Sequence, residues 1–257
     1  MNFKTIITAI LLSLAAMSVD AQNVYALLLG VQNYDNPNFQ QSKLVNTSKD
    51  VDELDNILNQ AGAQTTKLTG KYANRENLEK YVDQLVQTVN QRAGKDNIII
   101  YFSGHGVPGA ICLWDNPYTY TDLFTKLKEA KVNGVYIFTD CCHSGSAGMV
   151  IKYMPQIVNK KMVFFSACKD SEQSKDGNNL ITHGWFTQAL TKGLRGLSDK
   201  DHNKRVTVAE LYQYIYNDVL PRCDRYNETF PNEEPAVMHP QCFGPGSMLK
   251  HVVLIWK

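Results

Sequence analysis

The chain has 257 residues with 26 basic and 25 acidic side chains, for a formal net charge of +1. That balance leaves no electrostatic footprint for nucleic acid or an anionic membrane. The 44% apolar and 20% charged content excludes a disordered or fibrous chain and fits an ordinary globular domain.

The predicted elements begin with an export signal. Lys4 precedes an apolar stretch from Ile6 to Val19, and Val19-Asp20-Ala21 offers a signal peptidase site, with cleavage expected between Ala21 and Gln22. The stretch is too short to span a bilayer comfortably. The mature chain is therefore expected in the periplasm or outside the cell, with residues 22–257 as one domain. Val24 to Val31 is a short apolar run that reads as a buried strand. Ser48 or Asn46 can cap a helix from Asp50 onward, with Val51, Leu54, Ile57 and Leu58 on one face. Thr65 to Thr69 is a second strand, and Asn74 caps a helix carrying Leu78, Val82, Leu85 and Val89 inward.

Three further apolar runs each end in polar, reactive residues. Asn97 to Phe102 runs into Ser103-Gly104-His105-Gly106, and Gly134 to Thr139 runs into Asp140-Cys141-Cys142-His143-Ser144-Gly145. Met162 to Ala167 ends at Cys168. Helices are expected over 120–128, 185–194 and 208–220, and a closing strand over 251–256. Strands alternating with helices imply an α/β fold whose mostly parallel sheet, of about six strands, is covered on both faces. Chemistry in such sheets collects beyond the carboxyl ends of the strands, where His105 and Cys142 both lie.

A thiolate is a strong nucleophile, and a nearby imidazole can make it available and later protonate a leaving amine. Glycines 104 and 106 let the backbone turn tightly about His105. Backbone N–H groups at Gly106 and Cys142 can then hold a developing oxyanion. Residue chemistry alone leaves Cys141 and Cys142 both open as the nucleophile. His143, adjacent to Cys142, is expected to serve the loop's structure. Zinc is not expected, since successive residues cannot all point at one ion and no Cys-x-x-Cys pair exists. Of the six cysteines at 112, 141, 142, 168, 223 and 242, Cys223 and Cys242 are the most plausible bridge, both lying in the loop-rich C-terminal part.

At the two loops the chain resembles the caspase-like peptidases, with motifs closest to metacaspases and related bacterial proteins. Ser-Gly-His-Gly matches the family's histidine loop, and Asp-Cys-Cys-His-Ser-Gly its metacaspase-type cysteine loop. Gly30, Tyr34, Phe165-Ser166-Ala167 and Gly184-Trp185-Phe186-Thr187 also fit. The resemblance implies a three-layer caspase-like fold and peptide-bond cleavage by Cys142 and His105, without a cofactor. It makes Asp140 a pocket residue for arginine or lysine, with Ser103 beside it. Asp50 matches a second pocket acid, or is an acid favoured by the helix macrodipole. A carboxylate pocket suits a guanidinium through paired charge-assisted hydrogen bonds. The segment from His105 to Cys142 is shorter than the roughly 50 residues usual in caspases, so its surface loops must be trimmed. No acid cluster like the calcium site of some metacaspases is recognisable downstream of Cys142. Self-cleavage after Lys152, Lys160 or Lys161 is expected from the family habit of cutting the segment after the nucleophile. The partner is thus a peptide or protein substrate with a basic residue before the cut.

Overall fold

The computed structural model describes residues 22–40, 44–92, 94–177 and 183–256; the expected export signal lies outside them. The chain runs β1 (Val24–Gly30), α1 (Thr47–Gln60), β2 (Gln64–Thr69), α2 (Arg75–Gln91) and β3 (Asn97–Ser103). The strands β4 (Gly106–Val107), β5 (Ala110–Cys112) and β6 (Pro117–Thr119) form a small meander before α3 (Tyr120–Leu127) and β7 (Gly134–Asp140). Then come α4 (Ala147–Tyr153), β8 (Met162–Ser166), α5 (Trp185–Lys192), β9 (Arg205–Thr207), α6 (Val208–Thr229), β10 (Gln241–Phe243) and β11 (Val252–Ile255).

Six strands form the main sheet in the order β10-β8-β7-β3-β1-β2. All pairs are parallel except β10 against β8. Strands β3, β7 and β8 are buried at every position, as their unbroken apolar runs require of a sheet covered on both faces. Alternate side chains divide between two cores. Leu28, Ile99, Tyr101, Phe138 and Phe165 meet α1, α5 and α6 on one face. Leu27, Ile100, Phe102, Ile137 and Phe164 meet α2 and α3 on the other. The period of two along each strand therefore builds the three layers.

Asn74 caps α2 as expected, its side chain accepting from the Asn77 amide at 2.9 Å. Four expectations need correction. Helix α1 starts at Thr47, so Asp50 sits inside its first turn. Helix α6 continues past Pro221 to Thr229, because Val219, Cys223 and Tyr226 all pack on the core and outweigh the lost backbone bond. The sixth strand is β10; β11 pairs instead with β9 in a separate two-stranded sheet. Cys223 and Cys242 are free thiols: Cys223 is buried from α6 and Cys242 is held in β10 opposite Phe165. Among the described residues, no helix is long and apolar enough to cross a membrane.

Candidate active site

Strands β3 and β7 are neighbours, and their register sets Ser103 opposite Asp140. His105 and Cys142 lie two residues beyond these partners, so the pairing that builds the sheet also sets the two loops side by side. Their approach is close. A Cβ on Gly106 would overlap the Cys142 carbonyl oxygen and come within 2.7 Å of Cys141 Sγ. Only a glycine lets these backbones touch. Both loops line one small cavity of about 30 Å³ together with Ser103, Asp140, Ser174 and Asp176.

The histidine is positioned by Tyr34. The His105 amide donates to the Tyr34 hydroxyl at 2.6 Å, and the two rings stack with centroids 5.0 Å apart at 26°. The cysteine loop turns sharply through His143, whose φ of 58° is left-handed, a conformation costing a β-carbon residue about 1 kcal/mol. Contacts with the segment following β8 hold it there. His143 N donates to Glu172 O at 3.0 Å, and its Nδ1 meets Asp170 O at 2.7 Å. His143 is therefore turned to the 170–172 segment, in the structural role expected of it. Cys141 is 1% exposed while Cys142 is half-buried. Burial pushes the Cys142 thiol above the ordinary range, and Asp140 adds to the rise.

The acids form a second tier. Asp140 Oδ1 accepts from the Ser174 hydroxyl at 2.5 Å, and Oδ2 from the Thr187 amide and hydroxyl at 3.0 and 2.7 Å. Asp50, fully buried, accepts from Ser103 Oγ at 2.9 Å, from the Gly184 amide at 3.2 Å and from His183 Nδ1 at 3.0 Å. A Cβ on Gly184 would overlap Asp140 and reach within 3.4 Å of Asp50 Oδ2, so the two carboxyls share one neighbour. Burial raises both acids, and for Asp140 the nearby Asp50 raises it further. Asp140 and Ser103 line the cavity; Asp50 stands behind Ser103 and does not. Asp50 thus stands in the first turn of α1 and accepts from two side chains and one backbone amide.

Sequence reasoning missed Asp176, Ser174 and Tyr34's link to His105. Asp176 and Ser174 sit on an irregular segment whose nearness to the site follows only from tertiary packing. The Asp176 carboxyl accepts from the Val45 amide at 2.7 Å. Its acidity is weakened to about 6, first by burial and then by Asp50.

Among the described residues, the side chains able to hold a metal are Asp199, Asp201 and Glu210, with ligand atoms within 4.8 Å of one another. With Asn203 they follow the spacing of a calcium loop at positions 1, 3, 5 and 12, with Lys204 where glycine is usual. Contrary to the expectation from sequence, which recognises no calcium-type acid cluster downstream of Cys142, this group of three acids lies there. Donors of the same loop and its flanks already meet these carboxylates, and none of these residues lines the Cys142 cavity.

A model of the caspase domain matches residues 23–229. The search of curated proteins finds no significant match. Among solved structures, the fold is similar to caspase-1 from Spodoptera frugiperda, with a TM-score of 0.66 at 16% identity over 90% of this chain and 88% of that one. It is also similar to a Geobacter sulfurreducens protein solved as a structural-genomics target. There the TM-score is 0.63 at 20% identity, over 91% of this chain and all of the other.

Proposed function

The chain belongs to the caspase-domain family, whose members are cysteine peptidases, and from that premise we propose an exported endopeptidase that cuts after arginine or lysine with a Cys142–His105 dyad. The observation that carries this reading is the β3–β7 register, which brings both loops to one cavity floored by Asp140.

In the proposed reaction, His105 takes the Cys142 proton as sulfur attacks the scissile carbonyl carbon. The raised thiol leaves little thiolate in the free enzyme, so proton transfer accompanies attack. The resulting oxyanion meets the amides of Gly106 and Cys142; no acceptor in another described residue takes the Cys142 amide. Collapse expels the amine, which takes the proton from His105, and leaves an acyl-enzyme. Water, deprotonated by His105, then adds to the acyl carbon and releases the carboxylate and Cys142.

The basic side chain of the substrate enters the cavity beside Asp140. About 30 Å³ holds a water or two, so a guanidinium widens it. Ser174 is the element to yield, held there by its hydroxyl on Asp140. Lys152 is exposed on α4, whereas Lys160 and Lys161 stand at the amino end of β8, opposite the Cys142 end of the sheet. Self-processing at Lys152 therefore needs α4 to unwind, and at Lys160 or Lys161 it takes a second molecule. The test compares reporter peptides ending in Arg, Lys, Asp or Asn, on wild type and Cys142→Ala. Activity surviving in Cys142→Ala, or a preference for Asp, overturns the reading. An active enzyme that stays a single intact band overturns self-processing, and an uncleaved, cell-retained precursor overturns export.

A further inference from the structure

Three backbone carbonyls of the segment after β8 face the cysteine loop, one at every second residue. Asp170 O meets His143 Nδ1 at 2.7 Å, Glu172 O accepts from the His143 amide at 3.0 Å, and Ser174 O lies 4.0 Å from Cys142 Sγ. The segment is irregular, so no regular ladder of its own fixes these acceptors. The Glu172 side chain supplies an anchor. It is 10% exposed, and its Oε2 accepts from the Lys169 amide at 3.0 Å and the His239 amide at 2.8 Å. Its Oε1 meets His239 Nδ1 at 2.6 Å and lies 3.8 Å from Lys169 Nζ. We propose that Glu172 is a positioning residue for the peptidase reaction: its carboxylate, pinned by His239, lets its own carbonyl hold the turn that carries Cys142.

This inference rests on Cys142 being the nucleophile, as proposed above. His143 follows it directly in the left-handed region, a conformation that persists only when surrounding contacts impose it. The Glu172 carbonyl imposes one of them, and it also accepts from Cys168 Sγ at 3.3 Å. His239 stands two residues before β10, the edge strand of the main sheet. Glu172 therefore joins the cysteine loop to the chain that lies on β8. The loop's other side bears on the same two segments. A Cβ on Gly145 would come within 2.5 Å of Gln241 Oε1, 2.7 Å of Cys168 O and 2.8 Å of Asp170 N. With so little free space, a shift of either segment is passed on to the loop. Ser174 is the group that yields to the substrate, so the loop's fixed point has to lie nearer β8, where Glu172 stands. Glu172 is not among the residues lining the cavity; it acts through His143 and not on the substrate.

The experiment measures kcat and KM on an arginine reporter for wild type, Glu172→Ala, Glu172→Gln and His239→Ala, each well below its measured melting temperature. Glu172→Ala is expected to lower kcat about tenfold to a hundredfold with KM changed less than about twofold, as a misplaced reacting group does. Glu172→Gln is expected to recover kcat to within about threefold of wild type, because its amide oxygen accepts both backbone amides and its NH2 faces the imidazole. His239→Ala, which keeps the backbone amide and loses the ring, is expected to fall about threefold to tenfold. An unchanged kcat in folded Glu172→Ala overturns this inference and leaves the dyad standing. So does a Glu172→Gln enzyme as slow as Glu172→Ala, which would assign the effect to charge. Should Glu172→Ala fail to fold, His239→Ala decides, and a kcat equal to wild type overturns the inference. Activity surviving in Cys142→Ala overturns the dyad, and this inference with it.

Discussion

Replacing Gly106 with alanine presses first on the contact between the two reactive loops. The added methyl would lie 2.7 Å from Cys141 Sγ and closer still to the Cys142 carbonyl oxygen. Ordinary carbon contacts begin near 3.5 Å, so one loop must retreat by about 1 Å. Neither neighbour is the free end of a flexible side chain, since Cys141 is buried and the other atom is backbone. Overpacking of this kind costs about 1–3 kcal/mol of stability. A displacement of about 1 Å between reacting groups costs on the order of a hundredfold in rate, equivalent to about 2.7 kcal/mol of transition-state stabilisation. The assay is kcat/KM on an arginine reporter with thermal unfolding measured alongside. Gly246→Ala is the control, because nothing lies within 4 Å of its added methyl. A Gly106→Ala enzyme that keeps full activity and stability would refute the claim that the loops are in backbone contact.

Three further outcomes are expected. Tyr34→Phe keeps the ring stacked on His105 and removes the hydroxyl that accepts its amide; kcat should fall about tenfold with KM little changed, matching a lost hydrogen bond of about 1–1.5 kcal/mol, and an unchanged kcat would deny Tyr34 a positioning role. Labelling of Cys142 by a neutral alkylating reagent should reach half its limiting rate above the ordinary thiol value of about 8.5, since burial raises the group, while Cys141 stays unlabelled; a half-point below 7 would show a preformed ion pair with His105. Asp176 releases its proton near pH 6 when folded and near 3.8 when unfolded. Between those values the native state holds more protons, so this group's contribution to stability falls as pH rises. The melting temperature of Asp176→Asn should therefore gain on wild type from about pH 4 to pH 6, and parallel curves would refute the weakened acidity of Asp176.

The parallel sheet and both reactive loops were legible in the sequence because the signals are local. An unbroken apolar run such as Asn97 to Phe102 is buried on both faces, and the polar residue that ends it marks the carboxyl edge. Asp140 was singled out instead by the resemblance of its motif to metacaspases. Other features depended on partners distant in the chain. Nothing near Val252 reveals that it pairs with Thr207 rather than with the main sheet, and a three-residue strand such as β10 carries too short a pattern to announce itself. Pro221 reads as a helix stop until the burial of Cys223 beyond it is known. Asp50 was ambiguous for a related reason: its position in the sequence marks a helix N-terminal acid, and only the packing brings Ser103 and His183 to its carboxyl. The sequence by itself determined the layered fold, the reactive residue types and the strand ends that carry them. Only the tertiary structure decided which groups meet the buried acids, because donors such as Val45, Ser174 and Thr187 are drawn from three separate parts of the chain.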